Sequence, residues 1–208
     1  MAARIDKVVT AGQFCLDGGS WDVDNNVWLI GDDAEVLVID APHDAPAILN
    51  AINGRTVVAI VLTHGHNDHI NAAVELGRAT GAEVWFPPAD RMLWDAEHDG
   101  PPDRELHTGA TFHVAGATLR AIPTPGHSPG GTCLYSEDLA AVFTGDTLFA
   151  GGPGATGRSY SDFDTIIDSI RERLLMLPDQ TVVHTGHGED TTIGAEAPHL
   201  EEWIARGH

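Results

Sequence analysis

A β-branched run, Val57-Val58-Ala59-Ile60-Val61-Leu62, leads directly into Thr63-His64-Gly65-His66-Asn67-Asp68-His69. Uninterrupted apolar residues of this kind form a strand covered on both faces, so the chain must supply a layer above it and a layer below. Asn67-Asp68 then opens an Ala-rich stretch, Ile70 to Thr80, suited to a helix with a polar N-terminus. The polar cluster therefore sits on the turn between a strand's C-terminal end and a helix, where open α/β sheets place their sites. Three imidazoles and a carboxylate crowded together make poor packing material and good ligands. Neutral imidazole and carboxylate are donor types that zinc, iron and manganese accept. A lone histidine is an ordinary surface or core residue; this spacing points to a metal.

The remaining elements follow the same period rules. A chain of 208 residues is long enough for one substantial core and short for two, so a single domain over 1–208 is expected. Residues 27–30 and 35–40 have the composition of two strands joined by Gly31-Asp32-Asp33-Ala34, a hairpin signal. A helical pattern over 45–53 is closed by Gly54. Strand 57–62, helix 67–80 and strand 83–86 make a β-α-β unit. Residues 95–105 are polar and rich in breakers, which predicts a loop, either solvated or serving as a lid over substrate. Strand patterns return at 111–114, 117–122, 132–135 and 140–144. Phe163, Ile166, Ile167, Ile170, Leu174 and Leu177 keep helical spacing up to Pro178 and need no role beyond packing. A short strand at 181–184 and a helix at 197–206 complete an α+β pattern of two mixed sheets packed together with helices outside.

Composition excludes several partners. The formal net charge is −20, and Lys7 is the only lysine. Binding nucleic acid requires clustered cations that release counterions from phosphates, and this sequence has no such cluster. No run approaches the ~18 apolar residues of a membrane span. The first residues lack the apolar core of a secretory signal, so a cytoplasmic protein is expected. Cys15 and Cys133 lack CxxC spacing and are expected to be free, buried thiols. Nothing in the sequence sets the oligomeric state.

Three later segments repeat the syntax of a strand followed by glycine beside a potential ligand. They are Thr124-Pro125-Gly126-His127, Phe143-Thr144-Gly145-Asp146 and His184-Thr185-Gly186-His187. Together with 64–69 they resemble the metallo-β-lactamase superfamily, and within it the glyoxalase II-like hydrolases. The resemblance runs from 36–40 to 186–194 and is closest at 143–149, 154–159 and in Gly186-His187-Gly188 followed by Thr191-Thr192-Ile193-Gly194. It implies an αββα sandwich with a two-metal site between the sheets. His64, His66 and His127 would hold one ion and Asp68, His69 and His187 the other, with Asp146 bridging and Asp40 supporting a ligand from behind. His184 is set aside in favour of His187, which has the flanking glycines. His43, His98, His107, His113, His199 and His208 lack ligand context. Trp21, Trp28, Trp85, Trp94 and Trp203 are expected in the core or in a pocket wall.

Such a donor set can hold two divalent ions ~3.5–4 Å apart and acidify a water between them toward a pKa of about 7. Zinc is the expected metal, with iron and manganese acceptable to the same ligands. Attack of the resulting hydroxide on a carbonyl suits a thioester, because a thiol pKa near ~8.5 lets the thiolate leave with little help. Asp68 and Asp146 are then the carboxylates of the catalytic centre, Asp68 chiefly as a ligand and orienter. Within the family, a zinc β-lactamase is disfavoured by Asp146, which supplies a bridging carboxylate that lactamases lack there. RNA-processing relatives are disfavoured by net charge, and diiron oxygen reductases by His66, where they usually carry Glu. Two activities survive. One is hydrolysis of a thioester of a small cytosolic thiol; the alternative is a mononuclear iron persulfide dioxygenase using His64, His127 and Asp146. Glutathione-using glyoxalase II enzymes generally carry a C-terminal helical extension with basic residues, which does not follow the last metal motif here. That departure points to another thiol carrier such as mycothiol, with Arg158, Ser159 and Tyr160 as the expected substrate contacts.

Overall fold

Alternation along the strands decides which layer each side chain joins, as the computed structural model of residues 2–207 makes visible. In the order of the chain, β1 (Arg4–Leu16) and β2 (Gly19–Gly31) form a long antiparallel hairpin, followed by β3 (Glu35–Ile39) and α1 (Ala45–Ile52). Next come β4 (Thr56–Val61), α2 (Asn67–Ile70), α3 (Ala73–Thr80), β5 (Val84–Phe86), α4 (Arg91–Glu97) and β6 (Arg104–Glu105). These six strands make one sheet in the order β1-β2-β3-β4-β5-β6, antiparallel up to β3 and parallel from β3 onward.

The second sheet takes β7 (Thr111–Val114), β8 (Ala117–Pro123), β9 (Thr132–Ser136) and β10 (Ala141–Gly145). A small ribbon of β11 (Leu148–Phe149) and β12 (Gly152–Pro153) precedes α5 (Phe163–Ser169), and β13 (Val182–Thr185), β14 (Thr191–Thr192), α6 (Ile193–Glu196) and α7 (Leu200–Arg206) follow. Its order is β14-β13-β10-β9-β8-β7, with β10 and β13 parallel and the other pairs antiparallel.

Three apolar layers result. Trp28, Ile30, Leu37, Ile39 and Val61 from the first sheet meet Phe112, Leu119, Leu134 and Phe143 from the second, forming the inner layer. Their neighbours in register, Val27, Leu29, Val36, Val38 and Ile60, point the other way onto Ile48, Leu76 and Trp94 of α1, α3 and α4. On the far side Cys133, Val142 and Val183 pack against Ile166, Ile170 and Trp203. This is the expected αββα sandwich of two mixed sheets, with the core residues of each strand turned to one side or the other as the period of two dictates. No helix among the described residues is long and apolar enough to cross a membrane. His208 lies outside the described residues.

Several elements differ from the sequence expectation. β1 is a strand that the sequence does not announce, and β2 begins at Gly19 rather than at residue 27. The hairpin's outer half is exposed or half-buried, so no alternation of apolar residues marks it. The helix expected over 67–80 is two helices: Ala41 bonds through its N–H to His69 O and through its O to Ala72 N, which breaks the run at Asn71-Ala72 and aims His69 inward. Residues 95–97 end α4 and 104–105 pair as β6, so the loop occupies only the middle of 95–105. Trp94, buried and donating its indole N–H to Gly100 O, anchors that α4 end. The helix over 163–177 widens into a π-turn at Ile170–Leu174. Cys15 is exposed, against expectation, and only Cys133 is buried.

Candidate metal centre

Five strands are followed closely by a polar residue beyond their C-terminal ends. Asp40 follows β3, the histidine cluster follows β4, His127 lies beyond β8, Asp146 follows β10 and His187 follows β13. Backbone bonds hold these ends together: Asn26 N donates to Gly186 O and Thr132 N to Thr63 O between the sheets, and Gly186 N to Gly145 O within the second. Asp40 stands at φ 60, in the left-handed region. Its carboxylate accepts from Thr63 N and Thr63 Oγ, at 2.8 and 2.9 Å, and from His69 Nδ1 at 2.8 Å. A strained backbone fixed by three hydrogen bonds marks a position held for a purpose.

Outer partners set the tautomers. Thr63 spends its hydroxyl proton on Asp40, so it accepts from His64 Nδ1 at 3.1 Å, leaving His64 Nε2 a bare lone pair. His127 Nδ1 donates to Ala155 O at 2.7 Å and His187 Nδ1 to Asp24 O at 2.8 Å, so their Nε2 atoms are also bare. The bare nitrogens converge. His66 Nδ1 lies 3.1 Å from His64 Nε2 and 3.0 Å from His127 Nε2, while His69 Nε2 lies 3.3 Å from His187 Nε2. One proton on His66 could satisfy only one of its two neighbours. Asp68 Oδ1, Asp146 Oδ1 and His66 Nε2 are buried without any hydrogen-bond partner.

Acceptors facing acceptors at such distances repel unless a cation lies between them. Ligands ~2.0–2.1 Å from a tetrahedral ion stand about 3.3–3.4 Å apart, close to the spacings above. His64, His66 and His127 therefore fit one ion; Asp68, His69 and His187 fit a second. Asp146 reaches toward both sets: its Oδ2 is 3.5 Å from His127 Nε2 and 3.4 Å from His187 Nε2, and its Oδ1 is 3.4 Å from His69 Nε2.

The field agrees with the geometry. Burial disfavours charge on His64 and His66, and the neighbouring imidazoles add to it; His64 is pushed well below its ordinary value and His66 down to about 3. Burial opposes charge on His187 as well, yet Asp146 and Asp68 hold it up at about 10, and Asp146, Asp68 and Asp40 raise His69 in the same way. Against their own burial, Asp68 is drawn down to about 2, chiefly by His69, and Asp146 well below the carboxylate range by His187 and His69. The second set of ligands demands positive charge, which a divalent ion supplies.

Other residues fall where the sequence did not put them. Asp90, in the turn before α4, is fully buried and accepts from Gly65 N at 2.8 Å, Ser128 Oγ at 2.7 Å and Gly130 N at 2.6 Å. It thereby ties the loop of His64 and His66 to the loop of His127. A Cβ at Gly65 or Gly130 would run into Asp90, which explains why glycine stands at both. Asn25 and His43 lie beside the Asp68–His69–His187 set, although His43 lacked ligand context. His184 stacks on Phe143 and bonds Asp190, away from the ligands. At the mouth, the Phe14 ring meets His66 edge-on at 5.1 Å, and the Arg158 guanidinium lies 3.9 Å over Trp21. Ser159 N donates to Asp17 at 3.1 Å; Tyr160 is exposed. Loop 155–160 and the β1–β2 tip therefore form one rim.

The metallo-β-lactamase superfamily profile matches residues 21–187. Hydroxyacylglutathione hydrolase GloC of Haemophilus influenzae is 33% identical over 188 residues, covering 82% of this chain and 89% of its own. A protein crystallised in a di-iron-bound form is similar at TM-score 0.75 and 31% identity, over 84% of this chain and 93% of that one. ETHE1 from Myxococcus xanthus is similar at TM-score 0.72 and 26% identity, over 95% of this chain and 89% of that one. Metallo-β-lactamases are among the structures with the same fold.

Proposed function

The chain belongs to the metallo-β-lactamase superfamily, and from that premise we propose that it is a two-metal hydrolase of a thioester formed by a small cytosolic thiol. The observation that carries this reading is Asp146, one carboxylate within 3.5 Å of nitrogens from both ligand sets. When bound, two divalent ions supply an acidified water at neutral pH and a polarising contact for the carbonyl oxygen. The chain's own residues do the rest. Asp40 and Thr63 hold His69 and His64 in the tautomers that leave Nε2 free. Asp68 brings Oδ2 to 3.4 Å from His187 Nε2 and 3.7 Å from His69 Nε2, as ligand and orienter. Phe14 and Trp21 wall the mouth with apolar surface suited to an acyl chain.

Arg158, Ser159 and Tyr160 are the proposed substrate contacts, Arg158 being the cation that the rim presents. Glutathione offers two carboxylates and calls for several cations; a thiol on a neutral sugar, as in mycothiol, calls for fewer. Turnover of the lactoyl and formyl thioesters of both thiols tests the assignment. Faster turnover of the mycothiol esters is expected, and a clear preference for glutathione overturns it.

The likeness to ETHE1 favours one alternative, an iron persulfide dioxygenase using His64, His127 and Asp146. Iron content near one per chain with rapid oxygen uptake on a persulfide would establish that alternative. Stoichiometric zinc without oxygen uptake would exclude it.

A further inference from the structure

Beside the second ligand set runs a hydrogen-bond chain whose direction is fixed at every link. His43 N donates to Asn71 Oδ1 at 2.6 Å, so Asn71 turns its Nδ2 toward His43 Nδ1, 3.2 Å away. His43 Nδ1 must therefore accept, and its proton sits on Nε2. That Nε2 donates to Asn25 Oδ1 at 2.9 Å. Asn25 in turn presents Nδ2 to the centre, 3.1 Å from Asp68 Oδ2, 3.3 Å from His69 Nε2 and 3.4 Å from His187 Nε2. A flipped Asn25 would set its carbonyl oxygen there as an additional ligand; the proton on His43 Nε2 prevents the flip.

The arrangement is built rather than incidental. Asn25 is completely buried. His43 is held at φ 59, a conformation that favours glycine, and a Cβ at Gly12 in the covering strand would overlap the His43 ring. Sequence and backbone both make room for an imidazole at this point.

We propose that His43 is a positioning residue that, through Asn25, fixes Asp68 in its metal-binding orientation and keeps the Asn25 oxygen out of the Asp68–His69–His187 site. The proposal rests on the two-metal reading above. Asn25 holds Asp68 by donating an N–H to Oδ2, the oxygen that lies 3.4 Å from His187 Nε2 and 3.7 Å from His69 Nε2, and so sets the direction in which that oxygen faces the site. Supporting hydrogen bonds of this kind change metal affinity by roughly 10–100-fold when removed.

The test is a zinc titration of metal-free protein against a chromophoric chelator, with a His187→Ala variant to identify which step belongs to the second site. Cobalt absorption reports coordination in parallel, and thermal melts report folding. Asn25→Ala and His43→Ala are each expected to weaken the second site about 10–100-fold and leave the first unchanged. The double variant should be no weaker than either single. His43→Gln, which can still donate an N–H to Asn25, should stay within about twofold of wild type. Two zinc ions bound with unchanged affinities and unaltered cobalt spectra in both alanine variants would overturn the relay. Equal weakening of both sites would overturn it too, by showing a merely structural role. Should His43→Ala not fold, Asn25→Ala decides alone. A wild-type protein that binds one zinc overturns the underlying two-metal reading instead.

Discussion

Removing Asp90 should cost both stability and one half of the metal centre. Asp90→Ala leaves Gly65 N, Ser128 Oγ and Gly130 N as buried donors with no acceptor. Each such orphan costs about 1–3 kcal/mol. Burial already pushes the Asp90 carboxyl above its ordinary value despite those three donors, so its ionised form carries a desolvation cost of its own. That cost disappears with the side chain, and water can enter the space, which places the net loss near the low end, about 3–5 kcal/mol. For a chain of this size the melting temperature moves ~2–4 °C per kcal/mol, so a fall of about 6–20 °C is expected in the metal-free protein. Asp90→Asn keeps one acceptor oxygen and should lose about half as much. The same titration should show the His64–His66–His127 site weakened at least ~10-fold, with the Asp68–His69–His187 site intact. Calorimetry and zinc titration of purified variants are the assays. An Asp90→Ala protein melting within about 2 °C of wild type, with both zinc sites unchanged, would refute the reasoning.

Arg158→Ala should keep its metal and raise KM about fivefold with little change in kcat, since an exposed contact of this kind is worth about 1 kcal/mol; a fall in kcat alone would argue against a role in substrate binding. Asp146→Ala should lose metal and activity together, measured by elemental analysis beside the thioester assay. Two tightly held ions in that variant would show that Asp146 does not bridge. Thiol labelling at pH 8 should modify Cys15 at once and Cys133 only on unfolding, because burial lifts the Cys133 thiol to about 11. Two fast-reacting thiols in the folded protein would contradict the buried placement.

How much was legible in the sequence follows from what each feature depends on. Val57–Leu62 announces its strand because every residue is apolar, and the fold needs no finer information there. The candidate ligand residues stand out because imidazole and carboxylate at strand ends have few other uses. By contrast β1 and the outer half of β2 are hidden, since most of their residues are at best half-buried and polar side chains interrupt the apolar ones. The helix break at Asn71-Ala72 is set by long-range bonds from Ala41, which no local propensity encodes. Asp90 reads as one acidic residue among 31 until Gly65 and Gly130 close around it. His43 and Asn25 are linked only by tertiary contact, 18 positions apart, so their pairing is invisible along the chain.

The central claim is that two ions share Asp146. Elemental analysis of metal-free protein loaded with excess zinc and then desalted measures it directly. Two zinc ions per chain in wild type, with turnover of a thioester that tracks the second equivalent, is the expected result. One ion per chain with full activity would contradict it.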